Sequence, residues 1–134
     1  MSQRDVEEVE KFLTLVTAGD IENAVLQMSE DVVIDEAGSL PHSGTYRGRQ
    51  GFLDLIALFG RLYGGFALAD TSVHDAGDFI VARMTGTFTS KDGAKQAVMP
   101  VTEHYTMRDG KLAHADVYYK DPDQFKAFDF PQVP

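Results

Sequence analysis

The chain has 134 residues, no cysteine, and 21 Asp and Glu against 12 Lys and Arg, for a formal net charge of −9. Disulfides, thiolate catalysis and cysteine-ligated metals are excluded, and a chain this acidic repels nucleic-acid phosphates and anionic membranes, so neither is expected as a partner. At 43% hydrophobic and 25% charged residues, the composition is that of an ordinary globular chain, and 1–134 is the length of one domain.

The opening MSQRDVEEVEKF is charged and lacks an apolar signal core. No apolar run approaches a membrane span, so cytoplasmic residence is the expectation. Val6, Val9, Leu13 and Val16 recur at helical spacing, with Phe12 and Leu15 widening the stripe and Ser2 and Asp5 as an N-cap signal. Gly19 ends this helix. Asp20 caps a second, short one with Ile21, Ala24, Val25 and Met28 on one face. Val32 to Ile34 reads as a short strand stopped by Gly38 and Pro41, and residues 39–48 read as a loop. Phe52, Leu55, Ile56, Phe59, Leu62 and Tyr63 define a third helix, and Leu53 and Leu58 make it apolar on more than one side.

From Phe66 onward the signals are strands, at 66–75, 78–89, 95–107 and 112–120. Ala76-Gly77, Asp92-Gly93 and Asp109-Gly110 separate them, which implies an antiparallel meander. Helices first and strands later argue for an α+β fold. Phe125, Phe128 and Phe130 follow in a tail that is ordered at least in part.

Strand alternation singles out one carboxylate. Ala97, Met99, Val101, Glu103, Tyr105 and Met107 share a face, so Glu103 stands on an otherwise apolar surface. On the last strand Ala113, Ala115, Val117 and Tyr119 share one face, and His114 and Asp116 the other. A two-residue Asp109-Gly110 turn would set Glu103 opposite Asp116, whereas a three-residue turn with a bulge at Gly110 sets it opposite Ala115 and joins two apolar faces. The second register is the expected one. Glu103 then either enters a cavity, where desolvation raises its pKa, or meets solvent or a dimer partner. Asp35, at a strand end, reads either as a turn residue or as a functional carboxylate. His104, His114 and Asp116 gather on the outer sheet face and His42 sits alone in a loop; the expectation for all of them is solvated side chains and no metal site.

The stretch AGDIENAVLQMSEDVVIDEAG (18–38), the Ser43-Gly44 and Gly48-Arg49 pairs before a long helix, and the closing MRDGKLAHADVYY (107–119) resemble the nuclear transport factor 2-like superfamily. Within it the likeness is to bacterial ketosteroid isomerases and next to SnoaL-like polyketide cyclases. The resemblance implies three helices on a strongly curved, cystatin-like antiparallel sheet that forms a cone with an apolar cavity, and a homodimer through the outer sheet face. In the isomerases an Asp in the position of Asp35 shuttles the proton, and a second, protonated Asp falls at Glu103 when one gap is allowed in the following turn. The oxyanion tyrosine of that family falls at Phe12, and its supporting tyrosines at Met28 and Ile56. A lost donor of this kind costs about 10²–10³ in rate. For the cyclases, the catalytic Asp of the last strand falls at Val117, and Asp116 is one residue off.

The resulting expectation is a cofactor-independent acid–base enzyme on a small apolar carbonyl compound. Asp35 is its base and Glu103 its neutral hydrogen-bond donor, with Phe12, Ile56, Phe59, Met84, Tyr105, Val117 and Tyr119 lining the pocket. The alternatives are a non-catalytic module for a small hydrophobic ligand or a protein, the latter using an exposed patch at Phe125, Phe128 and Phe130, and a SnoaL-like cyclase or an epoxide hydrolase. The last needs an Asp–Arg–Asp set, with Arg83 pointing inward in place of Met84.

Overall fold

The computed structural model describes residues 2–130. Helix α1 (Gln3–Thr17) starts at a reciprocal cap in which the Ser2 hydroxyl accepts from the Asp5 amide and the Asp5 carboxylate accepts from the Ser2 amide. Helix α2 (Ile21–Ala24) is capped by Asp20 and passes into a single 3₁₀ turn, Val25–Gln27. Met28 therefore opens strand β1 (Met28–Glu36) rather than continuing the second helix. The segment expected to be loop contains a short strand, β2 (Gly44–Arg47). Helix α3 spans Gly48–Leu62, and the Arg49 guanidinium fixes its start by donating twice to the Met28 carbonyl, at 2.8 and 3.1 Å. Strands β3 (Tyr63–Asp75), β4 (Ile80–Ser90), β5 (Gln96–Arg108) and β6 (Lys111–Tyr119) follow.

The six strands form one sheet in the order β2-β1-β6-β5-β4-β3. Strands β3 to β6 are the antiparallel meander, while β1 runs parallel to β6 and antiparallel to β2. The fold is α+β, with helices packed on a curved, mostly antiparallel sheet. Register shifts interrupt the β1–β6, β3–β4 and β5–β6 ladders. Such bulges bend a strand and increase its twist, which lets the sheet curl around the helices. Gly64 sits at one shift in β3, where a Cβ would stand 2.5 Å from the Ser90 carbonyl oxygen.

The β5–β6 hairpin corrects the expected register. Arg108 pairs with Lys111 across a two-residue turn, with Asp109 and Gly110 both at positive φ (52° and 75°). The extra residue enters on β6 instead, between Leu112 and His114. Glu103 thus faces Val117, not Ala115, and Tyr105 faces Ala115. The shift also puts Leu112 rather than Ala113 on the buried face. The two apolar faces still coincide, because one inserted residue restores the parity that burial requires.

A 3₁₀ segment, Pro122–Ala127, closes the described chain. Phe125 and Phe128 are 3% and 6% exposed and belong to the core, with Phe130 packed partly against it. The exposed patch expected for a protein-binding module is therefore absent at these phenylalanines. Among the described residues, no helix is long and apolar enough to cross a membrane.

Candidate functional site

Strand β1 supplies the site's first carboxyl through simple alternation. Val32, Ile34 and Glu36 point into the cone, while Val33 and Asp35 point out. Glu36 lines an internal cavity together with Glu103 of β5. Two lobes, about 60 and 50 Å³, share Glu36, Phe59, Phe66, Leu68 and Glu103 in their walls. Phe12 and Leu13 of α1, Phe52, Leu55 and Ile56 of α3, and Tyr105 enclose the first lobe. Phe88, Val101, Val117 and Tyr119 enclose the second. No Lys, Arg or His lines either lobe.

With no cation nearby, desolvation dominates both carboxyls. Burial raises Glu36 to about 8, against a smaller lowering by the Tyr119 hydrogen bond, and the Glu103 charge raises it further. Burial raises Glu103 to about 7, with the Tyr105 hydroxyl opposing. That hydroxyl is wholly buried and makes no well-aligned hydrogen bond. Near neutral pH the two acids therefore hold roughly one to two protons between them, and the pair titrates as a unit.

Behind Glu36 lies a buried polar chain. The Tyr119 hydroxyl donates to Glu36 Oε1 at 2.8 Å. His42 Nε2 is 2.9 Å from the same hydroxyl, and His42 Nδ1 is 2.8 Å from the Tyr63 hydroxyl. His42 is 0% exposed and sits among the rings of Phe59, Phe88 and Phe125. Burial lowers its pKa to about 4, so it is neutral. Tyr46 holds the His42 loop inward by donating to the His42 and Ser43 carbonyls.

Several expectations need correction. Asp35, expected as the base, lies on the outer face. It accepts from Thr45 Oγ1 at 2.8 Å, its Oδ2 is 2.8 Å from His114 Nε2, and its side chain is 40% exposed. The hydrogen bond from His114 lowers its pKa, the reverse of what a buried base needs. Glu36, its neighbour, takes the interior position, and the period of two along Val32, Ile34 and Glu36 was the signal for it. His42, expected to be solvated as a lone loop histidine, is instead fully buried behind the site.

Glu103, Phe12, Ile56, Phe59, Tyr105, Val117 and Tyr119 do line the cavity walls. Met84 is buried but lines neither lobe; it borders an open groove of about 670 Å³ with Arg83, Tyr118 and Lys120. That groove is larger than the cavity, but its charged side chains are exposed to solvent. Arg83 is exposed on the outer side, so the cavity lacks the arginine an epoxide hydrolase requires.

Residues 9–115 match the family model of the SnoaL-like domain. No curated protein matches the chain. Among solved structures, TerC co-crystallised with polyporic acid superposes with a TM-score of 0.83 at 24% identity, covering 92% of this chain and 97% of that one. A nuclear transport factor 2-like protein from Burkholderia pseudomallei K96243 gives 0.82 at 16% identity, covering 94% and 97%. A candidate polyketide cyclase from Pseudomonas putida KT2440 gives 0.79 at 23% identity, covering 93% and 98%. At these identities the structural likeness speaks to the fold, whereas the family model matches most of the chain. The chain belongs to the SnoaL-like domain family, and its fold is like that of nuclear transport factor 2-like proteins.

Proposed function

We propose that this protein is a cofactor-independent acid–base catalyst for a compact, largely apolar carbonyl compound, with Glu36 and Glu103 as its working groups. The observation that carries the reading is the pair of carboxyls facing one apolar cavity whose walls include no Lys, Arg or His side chain. The reactive form is the singly protonated pair with the proton on Glu103 and Glu36 ionised, a minority tautomer near neutral pH because Glu36 holds its proton the more tightly. Glu36 removes a proton from the carbon next to the carbonyl. The C–H electron pair moves into the enolate, whose oxygen accepts hydrogen bonds from protonated Glu103 and from the Tyr105 hydroxyl. Glu36 then returns the proton at a second position. Such proton transfer contributes about 10²–10⁴ in rate, and the two donors take the place of the oxyanion tyrosine that Phe12 lacks.

The cavity also limits the ligand. Drug-sized ligands occupy roughly 300–1,000 Å³, far more than these lobes, so a steroid does not fit without movement of α1 or α3. Small cyclic and aryl ketones are the appropriate first substrates. Polyporic acid, present in the TerC crystals, is a larger probe of whether the cavity expands. The test is deuterium exchange next to the carbonyl in D₂O, followed by NMR. Exchange by wild type that Glu36→Gln abolishes and Glu103→Leu, which removes the donor, strongly weakens supports the reading. Exchange that survives Glu36→Gln sinks it; saturable binding with no exchange would mark a binding module instead. On the same reading the protein resides in the cytoplasm. A second copy packs on the outer sheet face, where Val98 and Tyr118 are 46% and 50% exposed, which sedimentation equilibrium of Tyr118→Glu against wild type tests.

A further inference from the structure

We propose that His42, held as its Nε2–H tautomer, is a positioning residue that keeps the Tyr119 hydroxyl donating to Oε1 of Glu36 and so confines proton exchange with a ligand to Oε2. The inference rests on the reading of Glu36 as the acid–base group, and it assigns a purpose to a buried histidine that touches no cavity space.

The chain Tyr63–His42–Tyr119–Glu36 has contacts of 2.8, 2.9 and 2.8 Å. Its hydrogens can run in two directions. In one, Tyr63 donates to Nδ1, Nε2–H donates to Tyr119, and Tyr119 donates to Oε1. In the other, Oε1–H donates to Tyr119, Tyr119 donates to Nε2, and Nδ1–H donates to Tyr63. The second direction leaves the Tyr63 hydrogen without an acceptor. Among the described residues its hydroxyl bonds only to His42, and the Tyr63 ring packs against those of Phe59, Phe88, Phe125 and Phe128. A buried donor without a partner is costly, so the first direction is the stable one. A doubly protonated imidazole orphans the same Tyr63 hydrogen and adds a buried charge, which the surroundings oppose.

The groups that face this chain cannot reverse it. They are Glu103 and Tyr105 from β5 and Tyr46 from β2, whose hydroxyl is committed to the His42 and Ser43 carbonyls. Oε1 is therefore always an acceptor. The proton that Glu36 takes from a ligand, or gives to it, resides on Oε2. Without His42 the Tyr119 hydroxyl is free to rotate and to accept from Oε1–H, and the proton has two positions instead of one.

The experiment reads the tautomer and its consequence separately. A two-bond ¹H–¹⁵N correlation spectrum of the ¹⁵N-labelled wild type between pH 6 and 8 is expected to show His42 with protonated Nε2 and bare Nδ1. An Nδ1–H tautomer or an imidazolium overturns the proposal, without the need for any variant. In carboxyl ¹³C titrations, His42→Leu is expected to move the Glu36 midpoint upward by about one pH unit, a tenfold change in proton affinity, because a weakened Tyr119 donor no longer favours the ionised form. Tyr119→Phe is expected to do the same, and His42→Leu added to Tyr119→Phe to do nothing further. A folded His42→Leu protein with an unmoved midpoint overturns the proposal. Failure of the acid–base reading shows elsewhere, as ligand exchange indifferent to Glu36→Gln, and leaves the tautomer assignment in place.

Discussion

Replacing Glu36 with Gln separates the cost of burying this carboxyl from the shape it fills. The amide keeps the volume and retains an oxygen to accept from Tyr119, but it cannot ionise. Glu36 is raised from 4.5 to about 8, first by desolvation. Between those values the folded protein holds a proton that the unfolded chain has released. The stabilisation from this proton is complete below pH 4.5 and is lost as pH rises through 8. At 1.36 kcal/mol per pH unit the interval corresponds to at most about 5 kcal/mol, and water entering the cavity on ionisation reduces it to a few kcal/mol. Glu36→Gln is therefore expected to match wild type within about 1 kcal/mol at pH 5 and to exceed it by about 2–4 kcal/mol at pH 9. For a chain of this length each kcal/mol moves the melting temperature by roughly 3–4 °C. The assay is urea unfolding from pH 5 to 9, followed by far-ultraviolet circular dichroism, since the chain has no tryptophan. Wild-type and variant stabilities that run parallel across this range would refute the claim that Glu36 is buried without a counter-charge.

Asp35→Asn provides the contrasting case. Its carboxylate is partly exposed and paired with His114 and Thr45 on the outer face, so the change is expected to cost about 1 kcal/mol or less and to leave ligand exchange in the cavity intact; a loss equal to that of Glu36→Gln would contradict the placement of both residues. Phe125→Ala removes a ring that is 3% exposed and packs on Tyr63, Phe88 and Tyr119. It is expected to destabilise by about 3–5 kcal/mol, and binding of a hydrophobic dye near neutral pH would report the opened end of the cone, whereas near-wild-type stability would show that the closing segment is not part of the core.

Much of the architecture is legible in local pattern. The helical stripe of Val6, Val9 and Leu13, the Ser2–Asp5 cap and the turn pairs at 92–93 and 109–110 each depend on neighbours a few residues away, and each acts on the backbone before any distant contact forms. Glu103 was legible for the same reason: five apolar residues at a period of two surround it on β5. Glu36 obeys the same period after Val32 and Ile34, so the parity of β1 is legible in the sequence. Which of its two faces turns inward is decided by the pairing of β1 with β2 and β6, and by the helix α3 packed over it.

Other features needed the tertiary structure outright. The bulge between Leu112 and His114 moves Glu103 from Ala115 to Val117 without changing which face is buried, because hydrophobic burial enforces parity but not the position of the inserted residue. The burial of His42 depends on Tyr63 and Tyr119, 21 and 77 residues away in sequence. A polar side chain in a loop gives no local sign of burial, since its cost is offset only by partners that the folded chain brings to it. The sequence alone therefore determined helices α1 and α3, the four strands of the meander and the apolar face that carries Glu103, whereas strand β2 and the turning of that face toward a cavity needed the folded sheet. The second carboxyl of the cavity and the hydrogen-bonded chain behind it were decided by contacts between strands that only the closed sheet creates.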